Sequence, residues 1–255
     1  MRLFDTHCHF ESDDATAIAA ILLRAKAAGV ERVMAVGGSA QLNRSVEIAG
    51  SLDAEDLPRV DCAMGYDRDQ LEASRPAVGD DVRLTAWGEI GLDYHYSPET
   101  REAQLRLFGE QLEEAKRRGL PVVIHTREAD DDTLAMLREI PSRGIIHCYT
   151  GTPTAAKAFL DLGFYISISG IVTFKAADNV RESAAVVPDD RILIETDSPF
   201  LAPVPLRGTP NEPANLRHTC AFLAKLRGMT ADDFASLTFT NAETILGSTN
   251  DAQHY

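Results

Sequence analysis

The sequence predicts an α/β chain folded as a (β/α)8 TIM-type barrel, a single domain spanning residues 1–255. Three observations predict it. Eight short apolar runs recur along the chain, amphipathic helix-like stretches lie between them, and histidines and carboxylates collect where several of the runs end. The length agrees, because 255 residues can bury one barrel-sized core. An open doubly wound sheet would ordinarily show a glycine-rich phosphate turn after its first strand, whereas the first run here ends in HCH.

In order, the strands are expected at Leu3–His7, Arg32–Val36, Val60–Gly65, Thr85–Ile90, Val122–His125, Gly144–His147, Tyr165–Ser169 and Ile192–Glu195. The stretch Asp14–Ala28 reads as the first helix. Thr100–Arg118 reads as another, with Leu105, Phe108, Leu112 and Ala115 recurring at helical spacing. Gly29 and Gly119 follow these stretches directly, where a left-handed helix terminus favours glycine. Composition stays even until the polar tail, residues 248–255, which is expected to fray.

Bulk properties narrow the function. With 44% hydrophobic and 25% charged residues and no apolar stretch near the roughly 20 needed to span a bilayer, no membrane role is expected. The opening MRLFDTHCHF lacks the uninterrupted apolar segment of a signal peptide, so a cytoplasmic location is expected. Cys8, Cys62, Cys148 and Cys220 are widely spaced without a CxxC pattern, which argues against a disulfide framework and a thiolate zinc site. A net charge of −14 disfavours broad attraction to nucleic acid, so any phosphate must be recognised locally. No obligate protein partner is indicated.

The strand ends carry the chemistry. His7 and His9 are one residue apart at the end of an apolar run, and strand alternation points both rings to one side; Asp5 shares that parity and reads as a supporting or core polar group. Glu89 in WGEIGLDYHY sits among small and apolar residues where an unpaired carboxylate would be costly, so it needs a cation. Asp93, one loop further, could hold an arginine or histidine instead. His125 closes the apolar run of VVIHTR, His147 closes that of GIIHCY, and Asp197 ends ILIETD. Four imidazoles and two carboxylates exceed what one catalytic zinc uses, so two divalent ions are the better count. Mixed ligation admits Zn, Mn, Fe, Co or, more weakly, Mg. Cys8 and Cys148 abut these residues but read as buried packing groups; His95 could touch substrate from its loop, and His218 reads as structural.

Through FDTHCHF, GEIGLDYHY, SPETREAQLRLF, PVVIHTREA, HCYTGT, SISGIVTFK, ILIETDSPFLAP and RGTPNEPANL, in order over nearly the whole chain, the sequence closely resembles the TatD-type metal-dependent deoxyribonucleases, a branch of the amidohydrolase-like barrels. The resemblance implies that His7, His9 and Asp197 surround one metal and His125 and His147 the other, with Glu89 bridging. It implies hydrolysis of nucleic-acid phosphodiesters, DNA before RNA, with Asp197 and Glu89 as catalytic residues and Asp197 accepting the proton of the attacking water. The same barrel could instead hydrolyse a small ester, lactone, amide or phosphodiester, or bind metal without turnover. Arg127 and Lys175 stand just beyond strand ends, where they could reach substrate phosphate or lie on the surface. Arg207 and Asn211 to Pro213 read as loop-shaping residues. One segment departs from the family: MGYDRD stands where many relatives carry a GxHPH-like motif. Asp67 there would repel phosphate unless it binds a cation or a neighbouring arginine.

Overall fold

A computed structural model of the chain describes residues 1–72, 75–79 and 83–247; the expected fraying tail, 248–255, lies outside the described residues. Eight parallel strands form one sheet in sequence order. They are β1 (Leu3–Cys8), β2 (Val30–Gly38), β3 (Arg59–Tyr66), β4 (Ala86–Asp93), β5 (Val122–Arg127), β6 (Gly144–Ile146), β7 (Tyr165–Ile168) and β8 (Ile192–Ile194). All eight expected strands are present, with ends shifted by one to three residues. The sheet closes where β1 meets the chain beyond β8: the Asp197 amide donates to the His7 carbonyl at 2.9 Å and the His9 amide to that of Ser198 at 2.8 Å.

The helices are α1 (Ala15–Ala27), α2 (Ala40–Ser51), α3 (Arg101–Arg118), α4 (Asp130–Glu139), α5 (Pro153–Asp161), α6 (Asp178–Val186), α7 (Leu216–Leu226) and α8 (Ala231–Leu246). Asp14 caps α1 by accepting from the Thr16 amide. Gly119 ends α3 at φ 68°, a left-handed conformation that costs glycine little. Phe108, Leu112 and Ala115 of α3 are buried against the sheet, as their spacing predicts, while Leu105 is only partly covered.

Two departures from strict βα alternation matter. Between β3 and β4 the described residues form no helix; Pro76 cannot donate a backbone hydrogen bond, and the segment is instead tied down by side chains. The Tyr66 hydroxyl donates to the Pro76 carbonyl, and Arg118 of α3 donates to the Val78 carbonyl at 2.8 Å. After β8 two helices follow, and α8 runs beneath the barrel. Its Phe239, Ala242, Ile245 and Leu246 join Phe4, Met34, Val36 and Leu193 in a core separate from the sheet–helix layer. With that end plugged, the cluster of titratable residues gathers around the opposite ends of the strands, where barrels of this kind place their sites. Among the described residues no helix is long and apolar enough to cross a membrane.

Candidate metal centre

β1 ends in an irregularity: its register to β2 shifts between Asp5 and Cys8. His7 and His9 bring their Nε2 atoms to 3.1 Å of each other. Asp5 stays out of the site, accepting from the Thr196 amide at 2.9 Å and the Thr196 hydroxyl at 2.5 Å, and so ties β1 to the turn after β8. Burial lifts the Asp5 carboxyl to about 7, against those hydrogen bonds.

Glu89, in β4, stands between the two halves of the cluster. Its Oε2 lies 3.5 Å from both His7 Nε2 and His9 Nε2, while Oε1 lies 3.2 Å from both His125 Nδ1 and His147 Nε2. Asp197 Oδ1 reaches the first half, 3.8 Å from His7 Nε2 and 3.6 Å from His9 Nε2. Glycine beside Glu89 permits this approach: at Gly91, φ 150°, a Cβ would come within 1.9 Å of the His125 carbonyl on the neighbouring strand. Asp197 itself is held at φ 54°, and Cys148, just after His147, at φ 44°. Non-glycine residues avoid that region, and their placement beside the cluster is local strain of the kind functional sites concentrate.

Three rings are oriented from behind. His9 Nδ1 donates to the Val36 carbonyl at 2.8 Å, His125 Nε2 to Asp93 Oδ2 at 3.0 Å, and His147 Nδ1 to Glu195 Oε1 at 3.3 Å, an arrangement that turns each remaining ring nitrogen inward. Burial lowers His7 to about 4, with the stacked His147 ring, 3.9 Å away, adding to the drop. Burial works against the charge on His147 too, yet Glu89 and Glu195 raise it well above its ordinary value. Burial also raises Asp197 well above the carboxylate range, and the nearby Glu195 and Glu89 add to that.

A buried set of this composition is short of positive charge. Ligand atoms of His7, His9 and Glu89, of His7, His147 and Asp197, and of Glu89, His125 and His147 form three groups, each with its atoms within 4.8 Å of one another. Ring nitrogens turned inward, an Asp197 carboxyl pushed up by burial, and a Glu89 carboxylate that His147 and the neighbouring imidazoles hold well below its ordinary value against burial are the conditions a divalent ion needs. The donor set therefore fits the metal ions that the sequence implies.

A cavity of about 690 Å³ opens over this cluster. Arg127 lines it, with its guanidinium 4.8 Å from the Tyr96 ring centroid. Lys175, expected beside it, does not line it: a 3-10 turn at Gly170–Thr173 directs Phe174 to the cavity, and Lys175 is exposed to solvent. Arg207, read from sequence as loop-shaping, lines the cavity and lies 4.3 Å over Phe174. Asn211 does hold loop shape, donating to the carbonyls of Thr196 and Phe200. His95 is exposed and pairs with Glu128 at 2.7 Å, while His218 lies on α7 and does not line the cavity. Cys8 is buried and Cys148 partly so; Cys148 lines the cavity. Sequence reasoning missed two residues. Glu195 shares strand parity with Asp197, a usable signal; Arg68 sits in the irregular segment after β3 and gave none.

A model of the TatD-related DNase family matches residues 4–247. The metal-dependent hydrolase YcfH of Escherichia coli K12 is 38% identical over 94% of each chain. The metal-dependent hydrolase YabD of Bacillus subtilis 168 is 35% identical, over 94% of this chain and 97% of its own. The crystal structure of YjjV, a TatD homologue from Escherichia coli K12, superposes with a TM-score of 0.84 at 29% identity, covering 97% of this chain and 98% of that one. Sequence similarity along almost the entire length, on the same barrel, leaves one assignment: the chain belongs to the TatD-related DNase family and is a metal-dependent hydrolase.

Proposed function

We propose that the protein is a deoxyribonuclease that hydrolyses DNA phosphodiester bonds at a two-metal centre, RNA being the related alternative substrate. One observation carries the reading beyond the family: Arg127 and Arg207 line the same cavity as the ligand cluster, in a chain whose net charge is −14. Placing cations there, against the overall balance, suits an anionic substrate recognised locally. The exposed rings of Tyr96 and Phe200 line the cavity as well and offer faces for stacking bases.

In this reading His7, His9 and Asp197 would hold one ion and His125 and His147 the other, with Glu89 available to both halves. Ions bound there would lower the pKa of water and offset charge on the phosphoryl oxygens. Arg127 and Arg207 hold the phosphate; Asp197, fixed by its backbone hydrogen bond to His7, takes the proton of the attacking water. Glu195 and Asp93 keep the imidazoles turned inward.

The test is hydrolysis of end-labelled single-stranded DNA by metal-stripped protein with Mg, Mn or Zn restored. Asp197→Asn is expected to lose roughly 10²- to 10⁴-fold in rate, the range for a proton-transfer group, with its fold intact. Arg127→Ala should weaken a phosphodiester substrate more than a neutral ester, and equal losses on both would remove its phosphate role. No cleavage with any metal would overturn the nuclease reading in favour of a small ester or phosphodiester, whose apolar part would lie against Ile171, Phe174 and Leu201 in the cavity wall.

A further inference from the structure

Arg68, in the segment that departs from the family pattern, points its guanidinium into the cluster. Nη1 lies 3.1 Å from Glu89 Oε1, the oxygen that also faces His125 and His147, and Nε lies 3.6 Å from Asp93 Oδ2, the acceptor that orients His125. Nη1 also contacts the Asp67 carboxylate, whose other oxygen, Oδ1, is buried without a partner. Glu89 Oε2 faces the His7 and His9 side instead. A guanidinium stays charged at any working pH, so this half of the site carries a resident cation that cannot be neutralised.

We propose that Arg68 makes the two halves of the centre unequal: the ion held by His125, His147 and Glu89 must displace the guanidinium, and so binds second and more weakly than the ion held by His7, His9 and Asp197. The proposal rests on the two-ion reading above. Glu89 Oε1 cannot serve both cations without bringing like charges within contact distance, which is unfavourable at a buried oxygen. Asp67 gives the displaced guanidinium a partner, so the arginine can leave Glu89 without becoming unpaired. The same pairing accounts for an aspartate at a site meant for an anionic substrate, since Arg68 offsets its charge.

Calorimetric titration of metal-stripped protein with Mn²⁺, with bound metal counted by mass spectrometry after gel filtration, reads the two affinities without any assay of turnover. Wild type should take a tight first ion and a second at least about tenfold weaker, a gap of about 1.4 kcal/mol. Arg68→Gln should tighten the second by about tenfold or more and leave the first in place, while Arg68→Lys, which keeps the charge, should leave the second weak. A second affinity unchanged in Arg68→Gln, or two equal affinities in wild type, overturns the proposal while leaving the two-ion centre standing. A single ion in both proteins overturns the two-ion reading and the proposal together. Should Arg68→Gln fail to fold, imidazole NMR signals of wild type titrated with Zn²⁺ decide: His7 and His9 should shift with the first equivalent and His125 with the second, and the reverse order refutes it.

Discussion

His147 depends on a carboxylate held behind it, on the side away from the cluster. Glu195 is fully buried, accepts from His147 Nδ1, and is held below the usual carboxylate range because His147 outweighs the effect of burial. Glu195→Gln keeps the shape and removes the charge that makes the inward nitrogen a good donor. Metal affinity should fall by about 10- to 100-fold, read by competition with a chelator, with the circular dichroism unchanged. An unaltered affinity would reduce Glu195 to a packing group. The residues legible in the sequence were those at abrupt ends of apolar runs, His7, His9, Glu89, His125, His147 and Asp197, because burial of a polar group there demands a partner. Glu195 was masked by its place inside the run ILIE. Lys175 stands outside the cavity lining because the 3-10 turn at Gly170–Thr173 brings Phe174 to it instead, a rotation that sequence spacing does not report.

Among the secondary elements, α8 shows how the barrel is sealed. Arg32 of β2 is almost wholly buried, pairs with Asp61 of β3 at 2.8 Å, and donates to the Gly247 carbonyl at 3.1 Å, just past the last turn of α8; Arg143 donates to the Ile245 carbonyl at 3.2 Å. Cations at a helix C-terminus meet both its unpaired carbonyls and its dipole. Asp61 Oδ1 keeps Arg59 at 3.3 Å, so Arg32→Met would leave the buried Asp61 charge half-paired, at a cost below the about 3–5 kcal/mol of a fully orphaned one, whereas Arg32→Met with Asp61→Leu should recover most of it. Urea unfolding of the two variants checks this, and equal losses would show that the α8 contacts, not the pair, matter. The strand pattern made the barrel legible, but a second helix after β8 is invisible to βα periodicity, as is the lack of a helix before β4 among the described residues. On α3, Glu114 lies 2.7 Å from both Arg117 and Arg118, whose guanidinia hold its carboxyl down at about 2. Its folded value is below its unfolded one, so its contribution is present at neutral pH and disappears as pH falls from about 4.5 toward 2. Glu114→Gln should therefore cost under about 1 kcal/mol at pH 7, as expected for a largely solvated pair, and nothing near pH 2.

For the molecule as a whole, the proposed nuclease role raises the question of how a chain of net charge −14 would engage a polyanion. The positive groups that can meet substrate are concentrated in one cavity, where Arg127 and Arg207 stand free of carboxylate partners among the described contacts, while Arg68 is committed to Asp67, Glu89 and Asp93. The net negative charge disfavours the strand outside that cavity, so affinity should not grow with DNA length once the cavity is filled. Each neutralised phosphate of a single strand contributes about −0.7 to the slope of log affinity against log salt, so two arginines predict a slope between about −1 and −2. Fluorescence anisotropy with labelled oligonucleotides of increasing length and the inactive Asp197→Asn protein, at fixed free metal, measures both quantities. A slope steeper than about −4 would mean that about six or more phosphates are held. The strand would then have to follow a basic track outside the cavity, and local recognition would no longer explain how an acidic barrel binds DNA.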